Sequence, residues 1–214
     1  MSDALHRHTD YGQTPLTEEQ IDPDPLAQFL TWLAQADESK VYEPNAMVLS
    51  TIDPDGLPSS RTVLLREANE NGFEFFTSYT SQKGMALLAH PEVSIVFPWY
   101  PIHRQVIVRG IARPADPAVS DAYFANRPHG AQIAALASDQ SKPIASRELL
   151  EKHVEELERQ FGPDGVVPRP ATWGGYRVAP HSYEFWQGRT SRLHDRLRFT
   201  RTESGGWSME RLQP

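Results

Sequence analysis

The chain has no cysteine among its 214 residues, which removes disulfides, thiolate metal sites and cysteine nucleophiles together. No apolar run approaches the ~20 residues that a membrane-spanning helix needs. The N-terminus, Met1-Ser-Asp-Ala-Leu-His-Arg-His8, has no apolar signal core, so a cytoplasmic protein is the expectation. There is no Walker loop, no G-x-G-x-x-G, no H-E-x-x-H and no G-x-S-x-G. P-loop, Rossmann, zinc-protease and serine-hydrolase chemistry therefore have no support. Eight histidines without cysteine or clustered carboxylates argue against a metal site. Positive charge is also short: the net charge is -7, so nucleic acid and anionic membranes are poor partners for the chain as a whole. Any anion site must be a local basic pocket in an acidic protein.

What is present reads as alternating strands and turns with a few helices. Residues 1–22 are weakly patterned and are expected to be a flexible arm, and residues 23–214 a single domain. His6 and His8 lack a third ligand and read as solvated. Asp24-Pro25 opens a helix to about Ala36. Strands are expected over Asn45–Ile52, Ser59–Arg66 and Phe73–Ser78, with Asp53-Pro-Asp-Gly56 and Asn69-Glu-Asn-Gly72 as turns. Ser81 caps a short helix, and Val93–Tyr100 and Gln105–Ala112 form a second hairpin. This half reads as an antiparallel meander closing toward a barrel. Asp116–Ala137 is helical, split at Arg127-Pro128. Ser146–Phe161 is the clearest helix, with Leu149, Leu150, His153, Val154, Leu157 and Phe161 on one face. Pro163–Pro170 is a linker. Gly175–Val178, Tyr183–Gln187 and Arg196–Arg201 follow as separate strands, then Trp207–Leu212. The expected fold is mainly β: an antiparallel barrel with peripheral helices.

Basic residues recur beside hydroxyls: Arg61-Thr62 on a strand, Thr77-Ser78 at a strand end, and Ser81-Gln82-Lys83 at a helix start. A helix N-terminus with Ser and Lys beside a strand Arg suits a phosphate monoester. Between Tyr183 and Arg196 the chain gathers Arg189, Arg192, His194, Asp195 and Arg196 beside an aromatic cluster. Cationic forks next to an imidazole and an aromatic wall suit a flat anionic ligand; an exposed basic hairpin is the competing reading. Trp99 and Trp173 read as core, with Trp186 the exception. Asp195 is expected to pair with a neighbouring arginine, and Lys142, Arg147 and Arg169 to be solvated.

Several of these stretches together resemble the pyridoxine (pyridoxamine) 5′-phosphate oxidase family. They are Arg61-Thr-Val-Leu-Leu-Arg66, Phe76-Thr-Ser78 with Ser81-Gln-Lys-Gly84, Phe97-Pro-Trp99, Tyr123-Phe124 with Arg127-Pro128, Trp173-Gly-Gly-Tyr176, and Glu184-Phe-Trp-Gln-Gly188 through Arg192-Leu-His-Asp-Arg196. The match runs in consistent order over roughly residues 24–214. The resemblance implies an FMN-binding split β-barrel, a homodimer with two clefts built from both subunits. It assigns FMN contacts to Arg61, Thr62, Val63, Leu64, Leu65 and Arg66, and to Phe76, Thr77, Gln82 and Lys83. Gln105, Gln140, Ser141, Trp186 and Arg196 complete that set. It assigns the substrate phosphate to Arg66, Tyr123, Arg127 and Ala131, and the substrate ring to Arg192 and His194, the catalytic candidates.

The implied reaction oxidises pyridoxamine or pyridoxine 5′-phosphate to pyridoxal 5′-phosphate. A hydride leaves the substrate C4′ for the flavin, and oxygen is reduced to hydrogen peroxide. Two positions depart from the family pattern: Arg66 stands where Lys is common, and Ala131 where Ser is common. Losing a hydrogen bond to a charged group costs roughly 1.5–3 kcal/mol if nothing replaces it. The implied arm over the substrate places His8 at an expected Arg, beside Tyr11. A phenazine-type flavin oxidase and a non-catalytic flavin or pyridoxal-phosphate binder are the alternatives.

Overall fold

Asp24 opens the first helix, α1 (Pro25–Glu38): its carboxylate accepts the Leu26 amide hydrogen at 3.0 Å, and Pro25 takes a first-turn position where a missing N–H costs nothing. The computed structural model describes His6 and residues 9–214; the expectation for His8 lies outside the described residues. After α1 come β1 (Ala46–Ile52), β2 (Pro58–Leu64), β3 (Glu67–Asn69), β4 (Gly72–Ser78), α2 (Gln82–Ala89), β5 (Glu92–Trp99) and β6 (Arg104–Pro114). Then follow α3 (Pro117–Ala125), α4 (His129–Ala137), α5 (Arg147–Phe161), β7 (Trp173–Gln187), β8 (Asp195–Arg201) and β9 (Trp207–Leu212). The strands bond in the order β2-β1-β5-β6-β7-β4-β3, with β8 on β7 and β9 on β8. The expected meander is corrected here, because β4 pairs with β7 rather than following β2. The short strand β3 was also not anticipated.

Two strands expected on either side of Ala179 are in fact one. β7 pairs antiparallel with β4 over Trp173–Val178, and with β8 over Ser182–Gln187. Pro180 falls between these two ladders, where its missing N–H leaves neither short of a donor.

The chain divides into two compact units. One holds the residues up to Leu49, Ser94–Gly110 and Pro180–Pro214; the other holds Ser50–Val93 and Ile111–Ala179. In the first, Phe29 packs on Phe97 with ring centroids 4.8 Å apart, and Trp32 meets Phe185 edge-on at 5.3 Å. All four are buried; each contributes about 1.5–3 kcal/mol by leaving water. In the second, Phe124, Ile133, Val167 and Trp173 form a buried cluster, against which Phe76, Tyr123, Val154, Leu157 and Phe161 pack half-buried. Val154, Leu157 and Phe161 of the face read from the α5 sequence are thus turned inward, while Leu149 and His153, expected with them, are exposed, and no α5 residue is fully buried. A cross-strand ion pair, Arg177 Nε to Glu74 Oε1 at 2.7 Å, joins β7 to β4.

α2 is set close against the end of β4. Ser81 Oγ accepts the Gly84 amide hydrogen at 3.2 Å and donates to the Ser78 carbonyl at 2.7 Å. A Cβ on Gly84 would collide with the backbone carbonyls of Tyr79 and Ser78. Glycine here lets the helix approach closely, and the approach brings Lys83 to Thr77. Gly84→Ala is expected to destabilise the protein by about 1–3 kcal/mol, seen as a lower urea midpoint at unchanged slope; an unchanged midpoint would mean that α2 moves off β4 freely.

Candidate active site: an anion-binding cleft

Within the second unit, β2, β4, α2 and the α3–α4 turn surround a cleft of about 630 Å³, inside the range usual for small-molecule sites. Arg61, Thr62, Val63 and Leu64 of β2 line it, with Arg66 just beyond the strand end. Phe76, Thr77 and Lys83 form a second wall, and Tyr123, Arg127, Pro128, Ala131, Gln140 and Trp173 close it. Four cations line the cleft, and no acidic residue does.

The cations fall into two groups. Lys83 Nζ donates to Thr77 Oγ1 at 3.2 Å, and that hydroxyl donates to Gln140 Oε1 at 3.0 Å. Burial lowers the Lys83 ammonium below its ordinary value, and the positive charge of Arg61 lowers it further. Burial likewise lowers Arg61, against a stabilising pull from Asp53. In the second group, burial lowers Arg127; Tyr123 opposes the shift and Arg66 adds to it. Among the described residues Arg66, Lys83 and Arg127 form no ion pair with a carboxylate. Desolvated Lys83 and Arg127, each beside a further arginine and with no carboxylate on the cleft walls, mark a site suited to an anion.

An aromatic ladder holds the second group in place. Phe76 stacks on Tyr123 at 3.8 Å and 7°, and on Trp173 at 5.6 Å and 14°. The guanidinium of Arg66 lies over the Tyr123 ring at 5.9 Å, and that of Arg127 over the Trp173 ring at 4.6 Å. Cation–π attraction of about 0.5–2 kcal/mol per pair holds each fork without neutralising it. Arg169 braces the ladder: it bonds Asp121 and the Trp173 carbonyl, each at 2.6 Å. The expectation that Arg169 is solvated is therefore corrected. Trp173 is both core, as expected, and a wall of the cleft.

α4 begins beside this ladder, with Pro128 and Ala131 on the cleft. α1, α2, α3 and α5 are capped by Asp24, Ser81, Asp116 and Ser146, whereas α4 has no side-chain cap. Its positive end is left for an anion.

Other expected contacts lie elsewhere. Leu65 is buried rather than lining the cleft. Gln82 turns its amide to Asp53 Oδ2 at 2.7 Å. Ser141 sits exposed in a left-handed conformation (φ 72°) one residue past Gln140. Gln105, Trp186, Arg192, His194 and Arg196 belong to the first unit. There, Arg196 donates to Glu184 Oε1 at 2.8 Å, and Trp186 packs on His194 with centroids 4.6 Å apart. Tyr11 meets both rings edge-on, at 5.9 and 5.4 Å. Gln105 is half-buried on β6.

The turn that presents Arg192 and His194 is strained, since Ser191 and Arg192 both adopt positive φ (55° and 62°). The Arg189 amide donates to His194 Nδ1 at 3.1 Å. Nδ1 is thereby an acceptor, and the neutral ring carries its proton on Nε2. Desolvation and the charge of Arg192 lower the His194 imidazole below its ordinary value. Asp195 accepts from Arg189 at 2.7 Å and Arg211 at 2.8 Å. Burial disfavours its charge, but the Leu16 amide and these two arginines outweigh burial and hold it below the carboxylate range.

Residues 33–161 match the family model described as pyridoxamine 5′-phosphate oxidase, and residues 173–214 that of the pyridoxine 5′-phosphate oxidase C-terminal dimerisation region. The chain is 52% identical to the pyridoxine/pyridoxamine 5′-phosphate oxidase of Rubrobacter xylanophilus, covering 96% of this chain and 94% of that protein. It is 46% identical to the protein of that name from Thermobifida fusca, covering 100% and 99%. Among solved structures, PhzG from Burkholderia lata 383 in complex with tetrahydrophenazine-1-carboxylic acid superposes with a TM-score of 0.88 at 32% identity, covering 95% of this chain and all of that one. An FMN-binding, pyridoxamine 5′-phosphate oxidase-related protein from Nostoc punctiforme, at 19% identity and TM-score 0.71, shares the fold. The fold is the split β-barrel of these flavin-binding proteins.

Two outcomes follow from the electrostatics. Because the folded Lys83 pKa lies below 10.5, its charge costs stability at neutral pH, and the cost fades only as pH rises through the folded value toward 10.5. Lys83→Met is therefore expected to raise the melting temperature of the ligand-free protein and to remove most of the stabilisation given by added inorganic phosphate; a fall in melting temperature would contradict the charge argument. Second, His194 should titrate below 6.5 by NMR, and Arg192→Gln should move its midpoint upward. Protonation would break the bond from the Arg189 amide, so this contribution to stability is fully present above the unfolded value of 6.5 and is lost as pH falls from there through the lower folded pKa.

Proposed function

The chain belongs to the pyridoxine/pyridoxamine 5′-phosphate oxidase family, and from that premise we propose that it oxidises pyridoxamine and pyridoxine 5′-phosphates to pyridoxal 5′-phosphate with FMN, reducing oxygen to hydrogen peroxide. The observation that carries this reading is the division of the four cleft cations into two groups, Arg61 with Lys83 and Arg66 with Arg127, along walls that carry no acidic residue. An oxidase that holds a flavin phosphate and a vitamin phosphate in one cleft needs two such groups.

Arg61 and Lys83, with Thr77 and Gln140, would hold the FMN phosphate; the walls fit the group, because the buried Thr77 hydroxyl and Lys83 ammonium converge there with the half-buried Arg61 fork and the exposed Gln140 amide. Arg66, Tyr123, Arg127 and the open end of α4 would hold the substrate phosphate. FMN, when bound, supplies the hydride acceptor and passes the electrons to oxygen. Arg192 orients the substrate ring, and the Nε2 proton of His194 is available to its ring oxygen. Holding the C4′ carbon at the flavin accounts for much of the rate without a dedicated general base. Pyridoxamine 5′-phosphate leaves as the aldehyde and ammonia once the imine takes up water; pyridoxine 5′-phosphate gives the aldehyde directly. Gln105, Trp186 and Arg196 are assigned to the flavin ring. We assign residues 23–214 to one oxidase domain, residues 1–22 to an arm, the active sites to the interface of a homodimer, and the protein to the cytoplasm.

A phenazine-type oxidase acting on a ring acid would leave the Arg66–Tyr123–Arg127 group without a phosphate to bind, and a non-catalytic binder would leave the strained Arg192 turn without a use. Adding pyridoxamine 5′-phosphate without oxygen to the yellow holoprotein is expected to bleach the flavin band. Admitting air should restore the band and release pyridoxal 5′-phosphate with peroxide. A holoprotein that stays yellow would sink this substrate while leaving the cofactor standing.

A further inference from the structure

Arg61 is held from behind by two hydroxyls that none of the expected contacts includes. On β2 the alternation of a strand places Ser59 and Arg61 on one face. Arg61 Nη2 donates to Ser59 Oγ at 2.6 Å, and Nη1 donates to the Ser59 carbonyl at 3.1 Å. Nη1 also donates to Thr51 Oγ1 at 2.7 Å. Thr51 lies on the facing strand β1 and is 2% exposed, so this hydroxyl is fixed by packing. Thr51 Oγ1 in turn donates weakly to the Ser59 carbonyl at 3.5 Å, closing the ring of contacts.

An arginine on an edge strand has four rotatable bonds and ordinarily samples many orientations, each of which must be given up when an anion binds. Here that ordering is done in advance. The cradle oxygens are neutral, so they order the guanidinium without themselves cancelling its charge.

We propose that Thr51 and Ser59 are positioning residues for the cofactor phosphate, presetting the Arg61 fork that the phosphate meets. The proposal rests on the reading of the cleft as an FMN site, and its test keeps the two separable. Flavin fluorescence quenching gives the dissociation constants of FMN and of riboflavin, which has the same ring but no phosphate. Ser59→Ala and Thr51→Val are each expected to weaken FMN about five- to tenfold while leaving riboflavin unchanged. Ser59→Thr and Thr51→Ser, which keep the hydroxyl, should bind FMN like the wild type. Because both substitutions act on one guanidinium, the double variant should lose less than the product of the two single losses. The proposal is overturned if Ser59→Ala and Thr51→Val bind FMN as tightly as the wild type, or if they lose FMN and riboflavin equally. A wild-type protein that quenches neither flavin would instead overturn the reading of the cleft itself.

Discussion

Like charges gathered in one half-buried cleft repel each other, and the local structure of the second unit is arranged around that repulsion. Two unit charges 4 Å apart interact by about 4 kcal/mol near a protein surface, a sizeable share of the whole stability of a domain. No carboxylate lines the walls of the cleft, and among the described residues Arg66, Lys83 and Arg127 form no ion pair with one. In its place stand interactions that hold a cation without neutralising it: hydroxyls behind Arg61 and Lys83, and ring faces beneath Arg66 and Arg127. The protein can be acidic overall and still present concentrated positive charge at one place.

This arrangement relies on rigid supports. Phe76 stands on β4, in a strand paired residue by residue with β7, and Trp173 is the first residue of β7. The ladder of rings is therefore anchored in one antiparallel pair, with α3 contributing Tyr123 and being tied down through the Asp121–Arg169 bond. Lys83 depends on the close seating of α2, which only a glycine at position 84 permits. Small displacements of these supports would move a cation relative to its phosphate, and charge-assisted bonds tolerate little such movement.

Much of this was legible in the sequence. Pro and Asp at the start of α1, Ser81 before α2 and Ser146 before α5 marked helix starts that the structure has within a residue or two, because capping is a local interaction. Arg61-Thr62 and Ser81-Gln82-Lys83 stood out as basic residues beside hydroxyls, while Arg66 and the Tyr123–Arg127 pair came from the resemblance to the oxidase family. What could not be read depends on partners far apart in the chain. Gly175–Val178 and Tyr183–Gln187 were expected as separate strands, but they are one strand that changes partner near Pro180. Arg169 looked solvated, but Asp121 and the Trp173 carbonyl enclose it. The Thr51–Ser59 cradle had a faint signal, two same-face residues beside an arginine, yet only strand pairing brings Thr51 across to it. Trp173 as a wall of the cleft was hidden because burial and ligand contact leave the same sequence trace.

The signature turn makes the same point in the first unit. Arg192, His194 and Asp195 are neighbours in sequence, but their arrangement is set by both ends of the chain. Asp195 receives the Leu16 amide hydrogen, Arg189 and Arg211; Arg211 also reaches the Leu16 carbonyl and the Glu18 carboxylate. The Thr190 amide donates to the Gly12 carbonyl. The bond to Arg211 holds the Glu18 carboxyl near 2, so this clasp stays charged across the physiological range. Two consecutive non-glycine residues at positive φ would relax toward ordinary backbone if the turn were free. The strain persists because contacts from residues 12–18 and from β9 hold both flanks of the turn. Arg192 and His194 are thus presented by a strained segment clamped on either side. Such a segment keeps a charged fork beside an imidazole whose neutral form that charge, with desolvation, favours.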